Sequence, residues 1–345
     1  MAKKKTSIKD IADALGVSIT TVSFILNGKA REKRISEEVT KKVEAYIDKI
    51  GYRPSHLAQS LRLGKSRVIV FMVEDISNQF FASIARLIEE KAYMNGYKII
   101  YCSTDNDDEK AKELINTFRV RNVDGFIITP TPGLEFTIQS LLEEELPLVL
   151  FDRWLPDLDT SYVIVENRKS SEEATRHLID QGCKHIGFVT VASDQSQMRD
   201  RMAGYLEAVE MAGLSSNILR VTTSVLEKEM INQRIHGFLR DNPHLDGLFF
   251  ATNFLAFEGL SALSDLGKRI PEEIKAISFD DHYFFNLYQP TISAIEQPLE
   301  LLADKLMESM LYQLDKENAP KITLKTVLPN KLNIRGSSLN TQRVK

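Results

Sequence analysis

Hydrophobic residues recur every three to four positions through the first fifty residues of the chain. The opening stretch, TSIKDIADALG, places apolar side chains at i, i+3, i+4 and i+7, a spacing that predicts one buried face of an amphipathic helix. Segments around residues 19–26 and 36–50 show the same kind of period. This part of the chain therefore predicts three short helices that pack against one another.

Polar residues and glycines mark the ends of these three helices. Ser7, Ser18 and Ser36 stand where N-caps are expected, and Gly16 and Gly28 follow the first two helices. Two short helices joined by a tight turn and braced by a third indicate a helix-turn-helix, whose second helix enters the DNA major groove. The spacing also fits an ordinary three-helix hairpin without a DNA role.

From residue 67 onward, continuous apolar runs alternate with amphipathic helices. The first series of runs is VIVFMV, YKIIYCST, VDGFIITP and LPLVLFD, and the second is HIGFVTV, LRVTTS, GLFFATN and AISFD. Continuous apolar runs are typical of buried parallel strands, and their alternation with helices predicts an α/β fold with parallel sheets. Two successive series predict two similar lobes, with a ligand cleft at the carboxyl ends of the strands.

Polar side chains follow several of these runs. They are Asp152, Asn253 and Asp280 at strand ends, and Arg201 in a helix after the loop DQSQMRDR. If they converge, these carboxylate, amide and guanidinium groups supply hydrogen bonds for vicinal hydroxyls. The sequence thus predicts a site for a hydroxylated small molecule, although each residue alone also fits a helix cap.

Aromatic residues accompany the predicted cleft. Phe80 and Phe81 follow the first strand and would offer a flat face to a sugar ring, but two Phe at a helix start are also common core residues. Trp154, directly after Phe151-Asp152-Arg153, either stacks on a ligand or covers the lobe surface.

Charge is distributed unevenly along the chain. Residues 1–66 hold 14 Lys and Arg against 7 Asp and Glu, whereas the remainder holds 30 against 41. A basic N-terminal part on an acidic body suggests that the N-terminal part meets a polyanion. A lysine-rich solvated surface would show the same imbalance.

Several functional classes lack any support in the sequence. No Gly-rich phosphate loop or nucleophile elbow follows a strand, and neither the six His nor Cys102 and Cys183 show a metal-ligand or redox spacing. We therefore expect no enzyme activity, no metal and no cofactor. No run of eighteen apolar residues and no signal peptide occurs, so we expect a cytoplasmic protein without a membrane partner.

The segment IKDIADALGVSITTVSFILNG, followed by GYRPSHLAQSLRLGKS, resembles the N-terminal signature of the LacI/GalR family of bacterial transcription regulators. The resemblance implies that Ile19 and Thr20, with Phe24 at a further position, read bases, whereas Thr21 and Ser23 contact phosphates or cap the motif. Ser18, Asn27 and Lys29 complete the predicted DNA-binding set in this domain, residues 1–53.

This chain departs from the family pattern at Phe24, where relatives often have Arg or His, and in a longer loop before the third helix. Thr20 can hydrogen-bond to a base, and Ile19 and Phe24 can press on thymine methyls, so we expect contacts weighted toward A·T pairs. The alternative is that Phe24 packs inward. The residues that would supply phosphate contacts are Lys3, Lys4, Lys5, Lys29, Arg31, Lys33, Arg34 and Arg62.

Residues 54–66 resemble the family's hinge, which becomes helical on operator binding. Thirteen residues are too few for a stable isolated helix, so the segment needs support from a second copy and from DNA. The resemblance implies that Leu61 wedges into the minor groove and that Arg62 meets phosphates. A plain tether is the alternative.

The resemblance extends through residues 67–340, which match a two-lobed, periplasmic-binding-protein-like domain of type I. DISNQFF, FDR, RMAGY and FDD match family segments. By this resemblance one lobe is roughly 67–165 with 298–325, the other is roughly 166–297 with 326–340, and 341–345 form a polar tail. The predicted effector-binding residues are Phe80, Phe81, Asp152, Trp154, Arg201, Asn253 and Asp280. Phe254 stands where relatives have Asp, which weakens the assignment of Asn253.

The sequence therefore predicts a homodimeric repressor of carbohydrate-utilisation genes that binds a palindromic operator and responds to a sugar. Gln195 and Gln197 in the loop favour a neutral, hydroxylated effector. The alternatives are a corepressor-dependent regulator that responds to a nucleobase or phosphosugar, a solute-binding protein that is not exported, and a sugar-modifying enzyme.

Overall fold

The computed structural model describes residues 7–52, 65–222, 230–315 and 322–340. The chain divides into two compact units, Met1–Arg67 and Val68–Lys345. The predicted hinge up to residue 64, with Leu61 and Arg62, and the predicted tail 341–345 lie outside the described residues.

The first unit consists of three capped helices. They are α1 (Ile8–Leu15), α2 (Ile19–Leu26) and α3 (Glu37–Ile50). Ser7 and Asp10 form a reciprocal capping box at the start of α1, because the Ser7 hydroxyl accepts from the Asp10 N–H and the Asp10 carboxylate accepts from the Ser7 N–H. Gly16 ends α1 in the left-handed region, at a φ of 68°, which permits the tight turn into α2.

A small apolar core holds the three helices together. Its buried members are Ile11, Ala12, Val22, Ile25 and Val43. Each helix contributes the apolar stripe that its spacing predicts, so amphipathic packing stabilises helices that would be too short to persist in isolation.

The second unit alternates strands with helices. Its described strands are β1 (Val68–Val73), β2 (Lys98–Ser103), β3 (Gly125–Ile128), β4 (Leu148–Phe151), β5 (Ser161–Val165), β6 (Ile186–Val191), β7 (Asn217–Val221), β8 (Gly247–Phe250), β9 (Lys275–Phe279), β10 (Ser293–Glu296), β11 (Lys325–Leu328) and β12 (Lys331–Asn333). Its described α-helices are α4 (Gln79–Met94), α5 (Asp108–Val120), α6 (Glu135–Glu143), α7 (Asn167–Asp180), α8 (Ser196–Met211), α9 (Ile231–Asp241), α10 (Asn253–Asp265) and α11 (Leu299–Leu314).

Within the described residues, the strands form two six-stranded sheets, one for each lobe. The first lobe has the order β11-β5-β4-β3-β1-β2, and the second has β12-β10-β9-β8-β6-β7. The paired strands run parallel except β12, which is antiparallel to β10. Because parallel strands share one orientation, the carboxyl ends of β1, β4, β8 and β9 are brought to the ends of the sheets where ligands bind in such folds.

The chain passes between the lobes after β5, after β10 and after β11. The predicted third crossing, between residues 325 and 326, is wrong by a few residues. Lys325–Leu328 pairs in parallel with β5 and therefore belongs to the first lobe, and the chain enters the second lobe at β12. The error has a physical cause, since the position of a single short strand depends on its distant partner and not on its own pattern.

Gly204 sets the distance between α7 and α8 in the second lobe. A Cβ at this position would lie 2.0 Å from the carbonyl oxygen of Arg168, so the two backbones touch where only a hydrogen fits. This close contact between the two helices places Arg201 Nε on α8 2.9 Å from Asn167 Oδ1 at the start of α7.

We predict that Gly204→Ala lowers the free energy of unfolding by roughly 1–3 kcal/mol or more, because a backbone clash cannot be relieved by a side-chain rotation. Gly237→Ala in α9 is the matched control, since a Cβ there meets no atom within 4 Å. We expect the control to stabilise the protein by roughly 0.5–1 kcal/mol. Thermal unfolding of both variants measures the difference, and similar melting curves would contradict this account of the helix contact.

Candidate functional site

The outer face of α2 presents the side chains that the sequence predicts as base readers. Ile19 is 50% exposed and Thr20 is also exposed, both in the first turn of the helix. Ser18 caps this turn by accepting a hydrogen bond from the Thr21 N–H at 3.0 Å. Phe24 lies one turn beyond Thr20 on the same face. The exposed face of α2 therefore carries small and apolar side chains and not charged ones.

Phe24 is half-buried, and it is not among the described residues that pack against the core of the first unit. Its ring instead lies beneath the Lys33 ammonium, whose Nζ is 5.6 Å from the ring centroid. In the structure, therefore, Phe24 does not pack into the core of the first unit. Whether Phe24 contacts bases stays a prediction.

Ser23 and Asn27 occupy structural positions at the inner side of α2. Ser23 is only 4% exposed, which favours a role in supporting the helix over a contact with a phosphate, and the phosphate contact stays a prediction. The period of 3.6 residues puts Ser23 between the apolar positions 22 and 25, toward the neighbouring helices. Asn27 caps the helix, and its side-chain amide donates to the Ser23 carbonyl oxygen at 2.6 Å.

Thr21 and Lys29 flank the same helix. The Thr21 hydroxyl pairs with the Ser18 hydroxyl at 2.8 Å, as expected for a residue that supports the cap. Lys29 is exposed in the loop after α2, where its N–H donates to the Phe24 carbonyl oxygen at 2.9 Å. Lys29 thus remains available for a phosphate.

A cavity of about 230 Å³ lies between the lobes of the second unit. Phe80 from the first lobe and Asn253 and Asp280 from the second line it, together with Tyr283 and Gln297. The structure therefore brings together three of the predicted effector residues around one space. Asp152, Trp154 and Arg201 are not part of this lining.

Arg201 holds the second-lobe wall of the cavity from behind. Its side chain is 2% exposed, and its guanidinium lies 3.6 Å from the centroid of the Phe279 ring. Nε donates to Asn167 Oδ1 at 2.9 Å, and Nη1 donates to the Ala251 carbonyl oxygen at 2.7 Å and to Asp280 Oδ2 at 3.3 Å. A buried cation with this many acceptors is a rigid support for Asp280.

Gln297 holds the other oxygen of Asp280, because its side-chain amide donates to Oδ1 at 2.6 Å. Asp280 is therefore fixed on both oxygens while it lines the cavity. Its neighbour Asp281 also lines the cavity, and its carboxylate accepts from Asn333 and from both Nη atoms of Arg335. Both adjacent carboxylates thus line the cavity, and each is fixed by hydrogen bonds to neighbouring side chains.

Asp152 is the most strongly perturbed carboxyl group of the cleft. Burial raises its pKa to about 6, the nearby carboxylates of Asp280 and Glu74 add to the rise, and Arg153 and Arg201 oppose it. Arg153 is itself buried and pairs with Glu74 and, at 2.6 Å, with Asn106 Oδ1. Its Nε lies 3.4 Å from Asp152 and makes no hydrogen bond within the described residues.

Hydrogen bonds cross between the lobes close to Asp152. Asn106 Oδ1, which accepts from Arg153, also accepts from the Gln195 side chain of the second lobe at 3.1 Å. The Trp154 N–H donates to the Ser196 hydroxyl at 3.1 Å. The Trp154 ring lies 5.7 Å from the Tyr162 ring, within its own lobe. Trp154 therefore links the lobes through its backbone.

Phe81 does not take part in the cleft. It is 5% exposed within the first-lobe core, whereas Phe80 is half-buried and stacks on Phe151 with centroids 5.8 Å apart. The prediction that both rings bind an effector is wrong for Phe81, because consecutive residues on a helix point in directions about 100° apart.

Sequence reasoning missed Glu74, Asn106, Arg153 and Gln297. Glu74 directly follows β1, Gln297 directly follows β10, and Asn106 comes three residues after β2. The rule that polar residues at strand ends form the site, applied to every strand, would have found them. Within the described ranges no three His, Cys, Asp or Glu side chains come together as metal ligands would, and no helix is long and apolar enough to span a membrane.

Comparison with known proteins gives matches to both units. Residues 7–55 match bacterial regulatory proteins of the lacI family, and residues 175–338 match a periplasmic binding protein-like domain. The HTH-type transcriptional regulator KdgR of Bacillus subtilis (strain 168) is 31% identical over 93% of this chain and 96% of its own. The ribose operon repressor of Halalkalibacterium halodurans is 30% identical over 96% of each chain.

A solved structure shares the fold of the second unit. The LacI family transcriptional regulator from Enterococcus faecium, with bound ribose, superposes with a TM-score of 0.71 at 24% identity. The match covers 79% of this chain and 99% of that one.

We predict that Phe81→Ala costs roughly 3–5 kcal/mol of unfolding free energy, because it empties a core position. Phe80→Ala should cost roughly 1–2 kcal/mol, since that ring is half-exposed at the cavity. Urea unfolding followed by the fluorescence of Trp154, the single tryptophan, measures both. Equal losses of unfolding free energy in the two variants would contradict the assignment of Phe81 to the core and of Phe80 to the cavity wall.

Proposed function

The chain belongs to the lacI family of bacterial regulatory proteins, and we propose that it represses carbohydrate-utilisation genes as a homodimer that a small sugar releases from its operator. The family consists of transcriptional regulators and not of enzymes. This chain is accordingly a DNA-binding repressor whose second unit takes a small-molecule effector. The proposal adds the finer points, namely a sugar as effector, the dimer, the symmetry of the operator and a place in the cytoplasm beside the DNA.

The sugar proposal rests on one observation, the polar shell of the cleft. Side chains of both lobes surround the cavity with fixed hydrogen-bonding groups, and Phe80 adds an aromatic wall. Two buried polar atoms beside the contact of Asn106 with Gln195 between the lobes, Arg153 Nε and Gln197 Oε1, have no hydrogen-bond partner within the described residues. Unpaired buried donors and acceptors are costly, so a ligand with several hydroxyls would be well matched to them.

The charge of this shell favours a neutral sugar over a phosphosugar. The carboxylates of Asp280, Asp281 and Glu296 line the cavity, and the described lining contains no Lys or Arg. The guanidinium group behind the lining, that of Arg201, already pairs with Asp280, so a phosphate would find no uncommitted cation in this lining. The cavity of about 230 Å³ also suits a small ligand. The relative that represses a ribose operon and the related structure with bound ribose make pentoses the first ligands to test.

The homodimer is supported by apolar side chains that remain on the surface of the second lobe. Tyr283, Phe284 and Leu287 are 54%, 49% and 69% exposed in and just after one 3₁₀ turn. A cluster of this kind favours association with another protein surface. Because Tyr283 also lines the cavity, the same turn would connect effector binding with the contact between subunits.

Selection of random DNA duplexes by the full-length protein tests the DNA proposal. We expect a palindromic sequence, two half-sites about one helical turn apart or a multiple of it, and affinity that falls steeply with salt. Thr20→Ala should relax the preference at one position in each half-site by about 1–3 kcal/mol. A duplex with one scrambled half-site is the control, and a protein that binds it as tightly as the whole site would argue against the dimer.

Titration of neutral pentoses and hexoses against Trp154 fluorescence, at pH 5 to 8, tests the effector proposal. Asp152 does not line the described cavity, so this test includes the proposal that a bound effector reaches its carboxylate. If hydroxyls donate to the carboxylate form of Asp152, affinity should fall about tenfold from pH 7 to pH 5 as a group of pKa about 6 is protonated. Asp152→Asn should weaken binding at pH 7 by roughly tenfold or more and flatten the pH profile.

Asp159→Asn is the matched control for this titration. Asp159 lies on the surface and pairs with Lys325 at 2.8 Å, so its loss should leave both affinity and pH profile unchanged. Tight binding of a phosphosugar or a nucleobase in place of neutral sugars would overturn the proposed effector class.

A further inference from the structure

The loop between α2 and α3 is a structured element that fixes Lys33. The Lys33 N–H donates to the Lys29 carbonyl oxygen at 3.0 Å, and the Ile35 N–H donates to the Ala30 carbonyl oxygen at 2.9 Å. Ala30 and Ile35 pack against the core of the first unit, and Arg34 adopts a positive φ of 54° that turns the chain back. This loop is longer than in the family pattern, and Ala30 and Ile35 anchor its two ends to the core.

The loop places an ammonium group beside the outer face of α2. Lys33 Nζ is 5.6 Å from the centroid of the Phe24 ring and 3.1 Å from the Glu32 carboxylate. The Lys33 side chain remains 43% exposed, so it is available to a further partner while it rests on the ring. An ammonium over an aromatic face is attracted by the ring quadrupole, which restricts a side chain that would otherwise be flexible.

We propose that Phe24 and Lys33 act as one DNA-contacting element, in which the ring faces a base pair and the ammonium binds the phosphate that flanks it. This inference rests on the proposed role of α2 as the reading helix. In such helices the N-terminal residues touch base edges, here Ile19 and Thr20, whereas Phe24 lies in the C-terminal half and Lys33 lies beyond the end. A cation at that end of the helix lies where it can contact the phosphate backbone of DNA. Contacts with phosphates supply most of the affinity for DNA.

Glu32 opposes this contact. The hydrogen bond and charge of Lys33 lower the pKa of Glu32, so Glu32 is ionised at neutral pH and competes with a phosphate for the same ammonium. Glu32→Gln removes the competing charge and should therefore tighten DNA binding several-fold.

The test measures the affinity of full-length protein for its selected operator over a range of salt concentrations. Lys33→Met should weaken binding on the order of 10- to 100-fold near 0.1 M salt and reduce the slope of log K against log salt by about 2, one phosphate for each half-site. Lys41→Met is the matched control, because Lys41 lies on the exposed side of α3 and its loss removes the same charge. We expect the slope of the control to equal that of the wild type.

A double-mutant cycle with Phe24→Leu tests the coupling. Because leucine offers no ring to hold the ammonium, Lys33→Met should cost several-fold less in the Phe24→Leu variant than in the wild type. Equal costs in both backgrounds would overturn the paired element, as would a Lys33→Met slope equal to that of Lys41→Met. A wild type that selects no operator would instead refute the proposed role of α2, and this inference with it. Circular dichroism melts confirm that each variant folds.

Discussion

The arrangement of the cleft depends on one buried charge, the Arg201 guanidinium. A cation removed from water is tolerated only if its donors find acceptors, and here these come from three separate parts of the second lobe. Asn167 follows the first crossing between the lobes, Ala251 follows β8, and Asp280 follows β9. Satisfying Arg201 therefore fixes the ends of two strands and the start of α7 relative to α8. The contact at Gly204 makes this possible, because a larger residue would hold the helices apart.

A second constraint is shared by the two lobes. Asp152 and Asp280 each follow a Phe that ends a strand, and each has a positive φ, 65° and 67° respectively. Asp tolerates this left-handed conformation better than most residues, since its short side chain can hydrogen-bond locally. The reversal at each strand end turns the carboxylate out of the strand direction. The lobes thus reach the cleft with the same local geometry but different electrostatics, since Asp152 has a raised pKa and Asp280 is held by Arg201 and Gln297.

Features with local causes could be predicted from the sequence, and features with distant causes could not. The three N-caps, the apolar stripes of α1 to α3 and the alternating strands and helices follow from neighbours within a few residues. Ser23 and Phe81 are buried because they lie on the side of their helix that packs against the rest of the fold. A short sequence motif does not show which side of a helix is packed. The membership of β11 in the first sheet is set by β5, which lies far earlier in the chain. Gln297 and Asn106 join the cleft only because strands far apart in sequence end in the same place.

The strength of the contacts between the lobes bears on how an effector can act. Asn106–Gln195 and Trp154–Ser196 are neutral hydrogen bonds, each of which contributes about 0.5–1.5 kcal/mol. Contacts of this size bias an arrangement of the lobes without locking it, so a ligand held by both lobes can change the populations substantially. A ligand shifts an equilibrium only by its difference in affinity for the two states. The residues that contact the effector from both lobes, and not the hydrogen bonds already present between them, must therefore supply most of the free energy that reaches the operator.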